Sequence, residues 1–183
     1  ARGQGLTDDV FTWRDGDNAG VRAELGSFDR VSFLVSNGRF YNLPVSAFPL
    51  KGAGDPIRLA VSGIGPNDNV LSLGTVSDPL LAVSSDGYAI RFNDGATTRK
   101  AGKVAMTFPE GESVALVSPV VGTPDSLAIW TGRGRLLVID MADIPEMQKG
   151  RGVRIDRQRP HGILPFVRKE GLPIVVDGGD TQV

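Results

Sequence analysis

The chain has 183 residues, of which 40% are hydrophobic and 22% charged, the composition of an ordinary soluble globular protein. It contains no cysteine, which excludes disulfides, thiolate metal sites and cysteine nucleophiles and suits a reducing compartment such as the cytoplasm. No apolar run approaches about 18 residues, and no apolar segment follows the starting Ala1-Arg2-Gly3-Gln4-Gly5. Neither a membrane span nor a signal peptide is therefore expected.

The net charge of −1 gives no overall attraction to nucleic acid, but the charges are unevenly distributed. Residues 1–90 contain 7 Lys and Arg against 10 Asp and Glu, a net of −3. Residues 91–170 contain 13 against 9, a net of +4. The basic second half is compatible with a surface that binds a polyanion, although a mixed, solvated surface explains the same numbers equally well.

A short turn that begins with a basic residue and contains glycine returns at a fixed interval of 49 residues. Its four copies are Arg2-Gly3-Gln4-Gly5, Lys51-Gly52-Ala53-Gly54, Lys100-Ala101-Gly102-Lys103 and Lys149-Gly150-Arg151-Gly152. A period of this length is typical of propellers and repeat arrays. It predicts a single domain over residues 1–183, with repeat units at 1–49, 50–99 and 100–148 and a partial unit at 149–183.

The first two units each predict a β-hairpin. In the first, Val31-Ser32-Phe33-Leu34-Val35 and Phe40-Tyr41-Asn42-Leu43 flank Asn37-Gly38, a pair that favours a type I′ turn. In the second, Leu80-Leu81-Ala82-Val83 and Tyr88-Ala89-Ile90-Arg91-Phe92 flank Asp86-Gly87. Gly38 and Gly87 both lie 36 residues after the basic residue of their unit, which supports the repeat.

The third unit predicts a strand at Ser113-Val114-Ala115-Leu116-Val117, after a turn at Pro109-Glu110-Gly111-Glu112. Its hairpin joins Leu127-Ala128-Ile129-Trp130 to Arg135-Leu136-Leu137-Val138-Ile139 through Gly132-Arg133-Gly134. In the fourth unit, Leu172-Pro173-Ile174-Val175-Val176 begins a further hairpin.

Helix signals are nearly absent, the best being one turn from Met141 to Met147, which Pro145 interrupts. Short strands with turns every 8–12 residues predict an all-β fold, and units of 40–50 residues predict four-stranded blades arranged radially. The sequence leaves open whether these blades close into a ring.

A search for catalytic chemistry is mostly negative. The only histidine, His161, lies in Arg159-Pro160-His161-Gly162, where a surface position is more typical than a base or a ligand. One histidine without cysteine cannot make an ordinary zinc site, and no phosphate-binding P-loop or nucleophile elbow occurs. Acidic pairs such as Asp8-Asp9 and Glu110/Glu112 lie in turns, and no inward-pointing carboxylate recurs from unit to unit, so an acidic active site at the blade centre is discounted.

The repeated basic turns have two interpretations. In the first, glycine allows close backbone approach where one blade meets the next, and the cation only keeps an exposed edge soluble. In the second, the turns line up on one rim, where backbone N–H groups, Lys and Arg hold successive phosphates.

Several motifs, taken in order, resemble the C-terminal DNA-binding region of the A subunits of bacterial type IIA topoisomerases, with the topoisomerase IV branch the closer one. They cover most of residues 1–155. They are Phe48-Pro49 with Lys51-Gly52-Ala53-Gly54-Asp55-Pro56, Leu81-Ala82-Val83-Ser84-Ser85-Asp86-Gly87-Tyr88, Phe92-Asn93-Asp94, Arg99-Lys100-Ala101-Gly102-Lys103-Val104, and Ile144-Pro145-Glu146-Met147-Gln148-Lys149-Gly150-Arg151-Gly152.

The resemblance implies a β-pinwheel, whose blades exchange a strand with a neighbour and whose basic rim bends DNA. The Gln-Arg-Arg-Gly-Gly-Lys-Gly box of gyrase is absent, which favours topoisomerase IV. The family's nucleophilic tyrosine follows an arginine, whereas Tyr41 follows Phe40 and Tyr88 follows Gly87, so no strand cleavage by this domain is expected.

The resemblance further implies a partner B subunit in a heterotetramer and a cytoplasmic enzyme that uses ATP and Mg²⁺ through its other regions. For this domain we expect duplex DNA as partner, no membrane, and neither a cofactor nor a metal. The predicted phosphate contacts are Arg2, Lys51, Arg99, Lys100, Lys103, Lys149, Arg151 and Arg154. The alternative is a propeller-like scaffold for protein interactions without a nucleic-acid role.

Overall fold

The computed structural model describes residues 25–26, 28–48, 56–75, 79–93, 98–157 and 159–168. Within them the chain is built almost wholly of strands. These are β1 Arg30–Val35, β2 Arg39–Pro44, β3 Val70–Gly74, β4 Leu80–Ser84, β5 Tyr88–Phe92, β6 Lys103–Val104, β7 Val114–Pro119, β8 Ser126–Thr131, β9 Leu136–Asp140, β10 Val153–Arg154 and β11 Pro160–Phe166. The all-β prediction is confirmed.

Helix is confined to single turns. The α-helix α1 spans Ile57–Ala60, and 3₁₀ turns span Val45–Ala47 and Met141–Asp143. Only the last of these was predicted, and it ends before Pro145. Over the described residues, no helix is long and apolar enough to cross a membrane.

The strands form three sheets of antiparallel pairs, each built around one predicted hairpin. Sheet 1 has the order β3-β1-β2-β6, sheet 2 the order β10-β5-β4-β7, and sheet 3 the order β11-β8-β9. The register pairs Leu34 with Phe40 in the first hairpin, Val83 with Ala89 in the second and Trp130 with Leu136 in the third. The three predicted hairpins that lie in the described residues are therefore present, and their sheets do not join into a closed ring over those residues.

The predicted type I′ turn at Asn37-Gly38 is wrong. Gly38 has φ 78°, but among the described residues no other residue type has positive φ, so Asn37 does not adopt the conformation that a type I′ turn needs. The Gly38 N–H instead donates to the Val35 carbonyl at 2.9 Å, closing a three-residue loop with glycine at its left-handed position. Such a loop is a type I turn with a G1 bulge, which asks for positive φ only at the glycine.

Each sheet combines strands from different repeat units. The flanking strands β3, β7 and β11 come from the next unit and pair with the first strand of each hairpin. The two-residue strands β6 and β10 come from two units further on and pair with β2 and β5. Because β6 and β10 directly follow the basic turns, those turns are fixed at equivalent edges of sheets 1 and 2.

The carbonyl groups of the hairpin glycines Gly38 and Gly87 bind the residues that directly follow β6 and β10. The Gly38 carbonyl accepts hydrogen bonds from the Ala105 N–H at 2.9 Å and the Met106 N–H at 3.2 Å. The Gly87 carbonyl accepts from Ile155 at 2.9 Å and from Asp156 at 3.3 Å. Each carbonyl has two lone pairs, so one turn satisfies two donors of a segment that lies far away in the chain.

The apolar core lies between the sheets. Leu34 and Phe40 of sheet 1 pack against Ile90 and Phe92 of sheet 2, with the Phe40 and Phe92 ring centroids 4.9 Å apart. The other face of sheet 2 carries Leu81, Val83 and Ala89 against Leu127 and Ile129 of sheet 3. Alternate residues of each strand thus bury opposite faces, as a pleated strand between two layers requires.

Strand β11 was not predicted. It contains Pro160, Gly162 and Pro165, residues that usually interrupt strands. The strand is tolerated because it lies at the edge of sheet 3 and pairs only with β8. His161 accordingly lies in a strand, and the predicted hairpin from Leu172 falls outside the described residues.

The close approach of chain segments at Gly152 gives a stability test. Gly152 has φ 84°, and an added Cβ atom would lie 2.0 Å from the Ala89 carbonyl oxygen and 2.3 Å from Ile90 Cγ2. We expect Gly152→Ala to lower the free energy of unfolding by about 3 kcal/mol, because strain at positive φ and steric overlap add.

Gly111→Ala is the matched control for chemical denaturation. Gly111 has φ 87°, but an added Cβ would meet no atom within 4 Å, so only the conformational strain of about 1–2 kcal/mol applies. Equal losses in the two variants would contradict the steric role of Gly152.

Candidate nucleic-acid interface

The Lys100 turn (residues 100–103) is bound tightly to sheet 1. The Lys100 carbonyl accepts a hydrogen bond from the Ser62 N–H at 2.8 Å, and the Ser62 carbonyl accepts one from the Tyr41 hydroxyl at 2.8 Å. Gly102 has φ 65°, and a Cβ there would lie 2.6 Å from the Tyr41 ring. Arg39 donates to the Ala101 carbonyl at 2.9 Å, a positioning contact that the sequence did not reveal.

The Lys149 turn (residues 149–152) lies beside the segment that leaves the Lys100 turn. The Gly150 N–H donates to the Ala105 carbonyl at 3.1 Å, and the Gly150 carbonyl accepts from Thr107 at 2.9 Å. A parallel bridge also joins Met106 to Gly150. The two consecutive basic turns are thus connected by backbone contacts of Gly150 with the segment Ala105-Met106-Thr107.

Four of the predicted cations are exposed. They are Lys100 with Arg99 directly before the first turn, and Lys149 in the second turn with Arg154 in the following strand β10. Their side chains form no hydrogen bond or ion pair with the other described residues; Arg154 only approaches Tyr88, its guanidinium carbon 5.5 Å from the ring centroid. These side chains present full positive charges to solvent at adjacent turns.

Lys103 is engaged inside the domain. Its Nζ donates to Gln148 Oε1 at 2.8 Å and lies 5.6 Å from the centroid of the Phe92 ring. Gln148 in turn donates through Nε2 to the Asn93 carbonyl at 2.9 Å. Lys103 therefore joins the two turns, because Gln148 directly precedes Lys149.

Arg151 is held by an ion pair and an aromatic ring. Its Nη2 lies 2.5 Å from Asp86 Oδ2, and its guanidinium carbon lies 3.9 Å from the centroid of the Tyr88 ring. The side chain remains 41% exposed, although its Nε is buried without a hydrogen-bond partner among the described residues. The charge of Arg151 is partly neutralised, so its clearest contribution here is to fix the Lys149 turn on sheet 2.

Burial and hydrogen bonding act on the pKa of Asp86 in opposite directions. Burial acts to raise the pKa of this carboxyl, but hydrogen bonds from Ser84 at 2.5 Å and from Arg151, together with the Arg151 charge, outweigh burial and lower the pKa below its ordinary value. The ionised form of Asp86, which binds Arg151, is therefore favoured in the folded protein. The sequence placed Asp86 only in a turn and did not reveal its partner.

Arg2 and Lys51 lie outside the described residues, so their predicted phosphate contacts stay predictions. In the described part of the chain, no group of three or more His, Asp or Glu side chains could hold a metal ion. His161 is exposed and lies beside Arg133 and Arg159, two cations that the sequence search did not select.

Comparisons with known proteins agree with this architecture. The family model described as DNA gyrase C-terminal domain, beta-propeller, matches residues 78–93 and 125–161. The A subunit of DNA topoisomerase 4 from Rickettsia felis is 32% identical over 178 residues, which are 92% of this chain and 24% of that protein. Its counterpart from Pseudomonas aeruginosa is 29% identical over 160 residues, which are 85% of this chain and 21% of that protein.

Among solved structures, the E. coli ParC C-terminal domain superposes with a TM-score of 0.70 at 26% identity, over 84% of this chain and 64% of that one. The family inferred from the sequence is confirmed: the chain belongs to the C-terminal β-pinwheel domains of the A subunits of gyrase and topoisomerase IV. It spans about a quarter of the length of the curated relatives that it matches.

The Asp86–Arg151 contact predicts a pH-dependent contribution to stability. We expect Asp86→Asn to lower the free energy of unfolding at pH 7 by about 1 kcal/mol, since a partly exposed charged interaction is removed. Because the folded-state pKa of Asp86 is lowered, this contribution is present above the ordinary carboxyl pKa and is lost as the pH falls through the lowered pKa. Wild type and variant should therefore converge in acid.

Asp140→Asn serves as the control in the same denaturation series. Asp140 lies 3.0 Å from Arg168, but the two side chains are 64% and 54% exposed, so a change of less than about 0.5 kcal/mol is expected. A difference between wild type and Asp86→Asn that stays constant from pH 7 to pH 3 would contradict the assignment.

Proposed function

We propose that this chain is a non-catalytic domain that binds and bends duplex DNA through contacts to successive phosphates. The observation that carries the proposal is the coupling of two basic turns, which presents Arg99, Lys100, Lys149 and Arg154 to solvent at equivalent blade edges. Membership of the gyrase and topoisomerase IV A-subunit family supports the choice of DNA as the polyanion.

The binding is to the phosphate backbone and carries no base readout. Sequence reading needs an element that enters a groove, usually a helix or a two-stranded ribbon. The described cations instead lie on turns and on two-residue edge strands, and the longest described helix has four residues. Phosphate contacts position the duplex without sequence information, and their affinity falls steeply with salt.

Bending follows from the spacing of the turns around the domain. A duplex that contacts successive blade edges has to curve, at a cost on the order of 1–6 kcal/mol for tens of degrees. The contacts to phosphates have to offset this cost. The chain as a whole has a net charge of −1, so binding is weaker than that of a strongly basic domain.

The whole protein is proposed to be the A subunit of a bacterial type IIA topoisomerase of the topoisomerase IV branch, as in the curated relatives. It would act in the cytoplasm, associated with the nucleoid, in a heterotetramer with a B subunit. ATP and Mg²⁺ would be used by its other regions. In that enzyme this domain would select the DNA segment for strand passage.

A salt titration of duplex binding tests the proposal. We expect log K to fall linearly with log[salt], and the double variant Lys100→Gln, Lys149→Gln to flatten the slope by about 0.9 for each phosphate that is no longer neutralised. Circular permutation electrophoresis of the same duplex should report a bend that the double variant reduces.

Arg58→Gln is the matched control, since Arg58 is an exposed cation of α1 outside the repeated turns. Its slope should equal that of wild type. Binding that is absent, or that does not respond to salt, would contradict the DNA-binding role and favour a scaffold for protein interactions.

A further inference from the structure

A cleft of about 360 Å³ opens at the turn of the third hairpin, beside the start of β11. It is lined by Thr131, Gly132, Arg133, Arg159, Pro160 and His161. Two guanidinium groups and an imidazole therefore surround one space, and none of the lining residues is acidic. Arg133, Arg159 and His161 are exposed, and no ion pair joins either arginine to another residue in the described ranges.

The wall of the cleft contains a hydroxyl without a partner. Thr131 is only 5% exposed, and its Oγ1 makes no hydrogen bond within the part of the chain that the structure describes. An unsatisfied buried hydroxyl costs about 1–3 kcal/mol, and nearly all buried polar groups in native proteins have a partner. This oxygen has almost no accessible surface, so it lies beneath the wall of the cleft, and the groups that face the space are the exposed Arg133, Arg159 and His161.

A β-bulge places the histidine at this cleft. Pro160 pairs with Thr131 and Gly162 with Trp130, so His161 is the extra residue between two pairs. Bulges redirect a side chain and are enriched next to functional sites. A Cβ atom added to Gly132 would lie 3.8 Å from His161 Nδ1, so the imidazole reaches across the hairpin turn.

The equivalent position in sheet 1 is filled by a carboxylate of the chain itself. Asp68 lies two residues before β3 and accepts hydrogen bonds from Asn37 Nδ2 at 2.6 Å and from Ser36 Oγ at 3.4 Å. Ser36 and Asn37 are the two residues before Gly38, the left-handed glycine of the turn.

Sheet 2 repeats the arrangement. Glu112 lies two residues before β7 and accepts a hydrogen bond from the Ser85 hydroxyl. Ser85 lies two residues before Gly87, as Ser36 lies two residues before Gly38. The Ser85 oxygen also accepts from the Ser113 N–H at 3.1 Å, as the Ser36 oxygen does from Asn69 at 3.0 Å.

Sheet 3 has no serine in its hairpin turn and has a cation there instead. Gly132 and Arg133 precede the left-handed Gly134, where the other hairpins have Ser36-Asn37 and Ser85-Asp86. Arg159 directly precedes β11, one residue after the position that Asp68 and Glu112 hold before β3 and β7. Where two sheets hold a carboxylate of their own, the third presents cations around an open cleft.

We propose that the cleft of the third hairpin binds a phosphate group. Arg133 and Arg159 each offer several N–H donors in a planar fork that matches the oxygens of a phosphate. A phosphate also has more acceptor oxygens than the two of a carboxylate, so one group can serve both arginines and His161. The assignment of this phosphate to a DNA backbone rests on the proposed function, whereas the site itself does not.

The phosphate site is tested by nuclear magnetic resonance of the only histidine in the chain. Inorganic phosphate is titrated into the full 183-residue chain at constant pH and ionic strength, with sodium chloride as the matched titrant. The His161 ring resonances should shift saturably with phosphate only, and the variant Arg133→Gln, Arg159→Gln should abolish the shift. An equal response to chloride, or an unchanged response in the variant, would overturn the site.

Duplex binding by the same variant identifies the source of the phosphate. Its slope of log K against log[salt] should be flatter than that of wild type by about 0.9 or more. A saturable His161 shift with an unchanged slope would assign the site to free phosphate and reject a DNA contact there. If wild type does not bind duplex, the proposed function fails, and the phosphate titration still decides the cleft.

Discussion

The double hydrogen bond at the hairpin glycines of sheets 1 and 2 is the constraint on which the placement of the basic turns depends. The carbonyls of Gly38 and Gly87 capture two N–H groups from a segment that lies two repeat units further along the chain. Strands β6 and β10 have only two residues each, so their own pairing adds little stability. The hydrogen bonds to the glycine carbonyls are therefore needed to keep them paired. This contact fixes the basic turns at the sheet edges. Backbone hydrogen bonds therefore determine where the cations lie.

The repeat keeps the backbone and varies the charges. Ser85 and Ser36 bind carboxylates of the chain itself, whereas the third hairpin has Gly132 and Arg133. Sheets 1 and 2 therefore carry carboxylates at their turns and cations at their edges, and sheet 3 presents cations at its turn. A domain with a net charge of −1 can in this way hold a polyanion at selected places only.

The sequence predicted the three hairpins because each is local and its strands alternate around a glycine turn. It could not predict which distant strand would pair with which hairpin, because a two-residue strand has no pattern of its own. The sequence did not predict strand β11 because it contains two prolines and a glycine, residues that usually interrupt strands. The sequence did not predict the cleft because Arg133 and Arg159 are distant in the chain. The one available signal was that Gly132 stands where the other two hairpins have a serine.

Hydrogen exchange of backbone amides tests the central claim directly. The claim is that each of the first two hairpins forms one cooperative unit with the residues that follow β6 or β10. The amides of Ala105 and Ile155 donate to the hairpin glycines, so we expect them to exchange as slowly as the hydrogen-bonded amides inside β1 and β4. Exchange of Ala105 and Ile155 within the dead time, while β1 and β4 stay protected, would contradict the claim that the hairpins hold the basic turns in place.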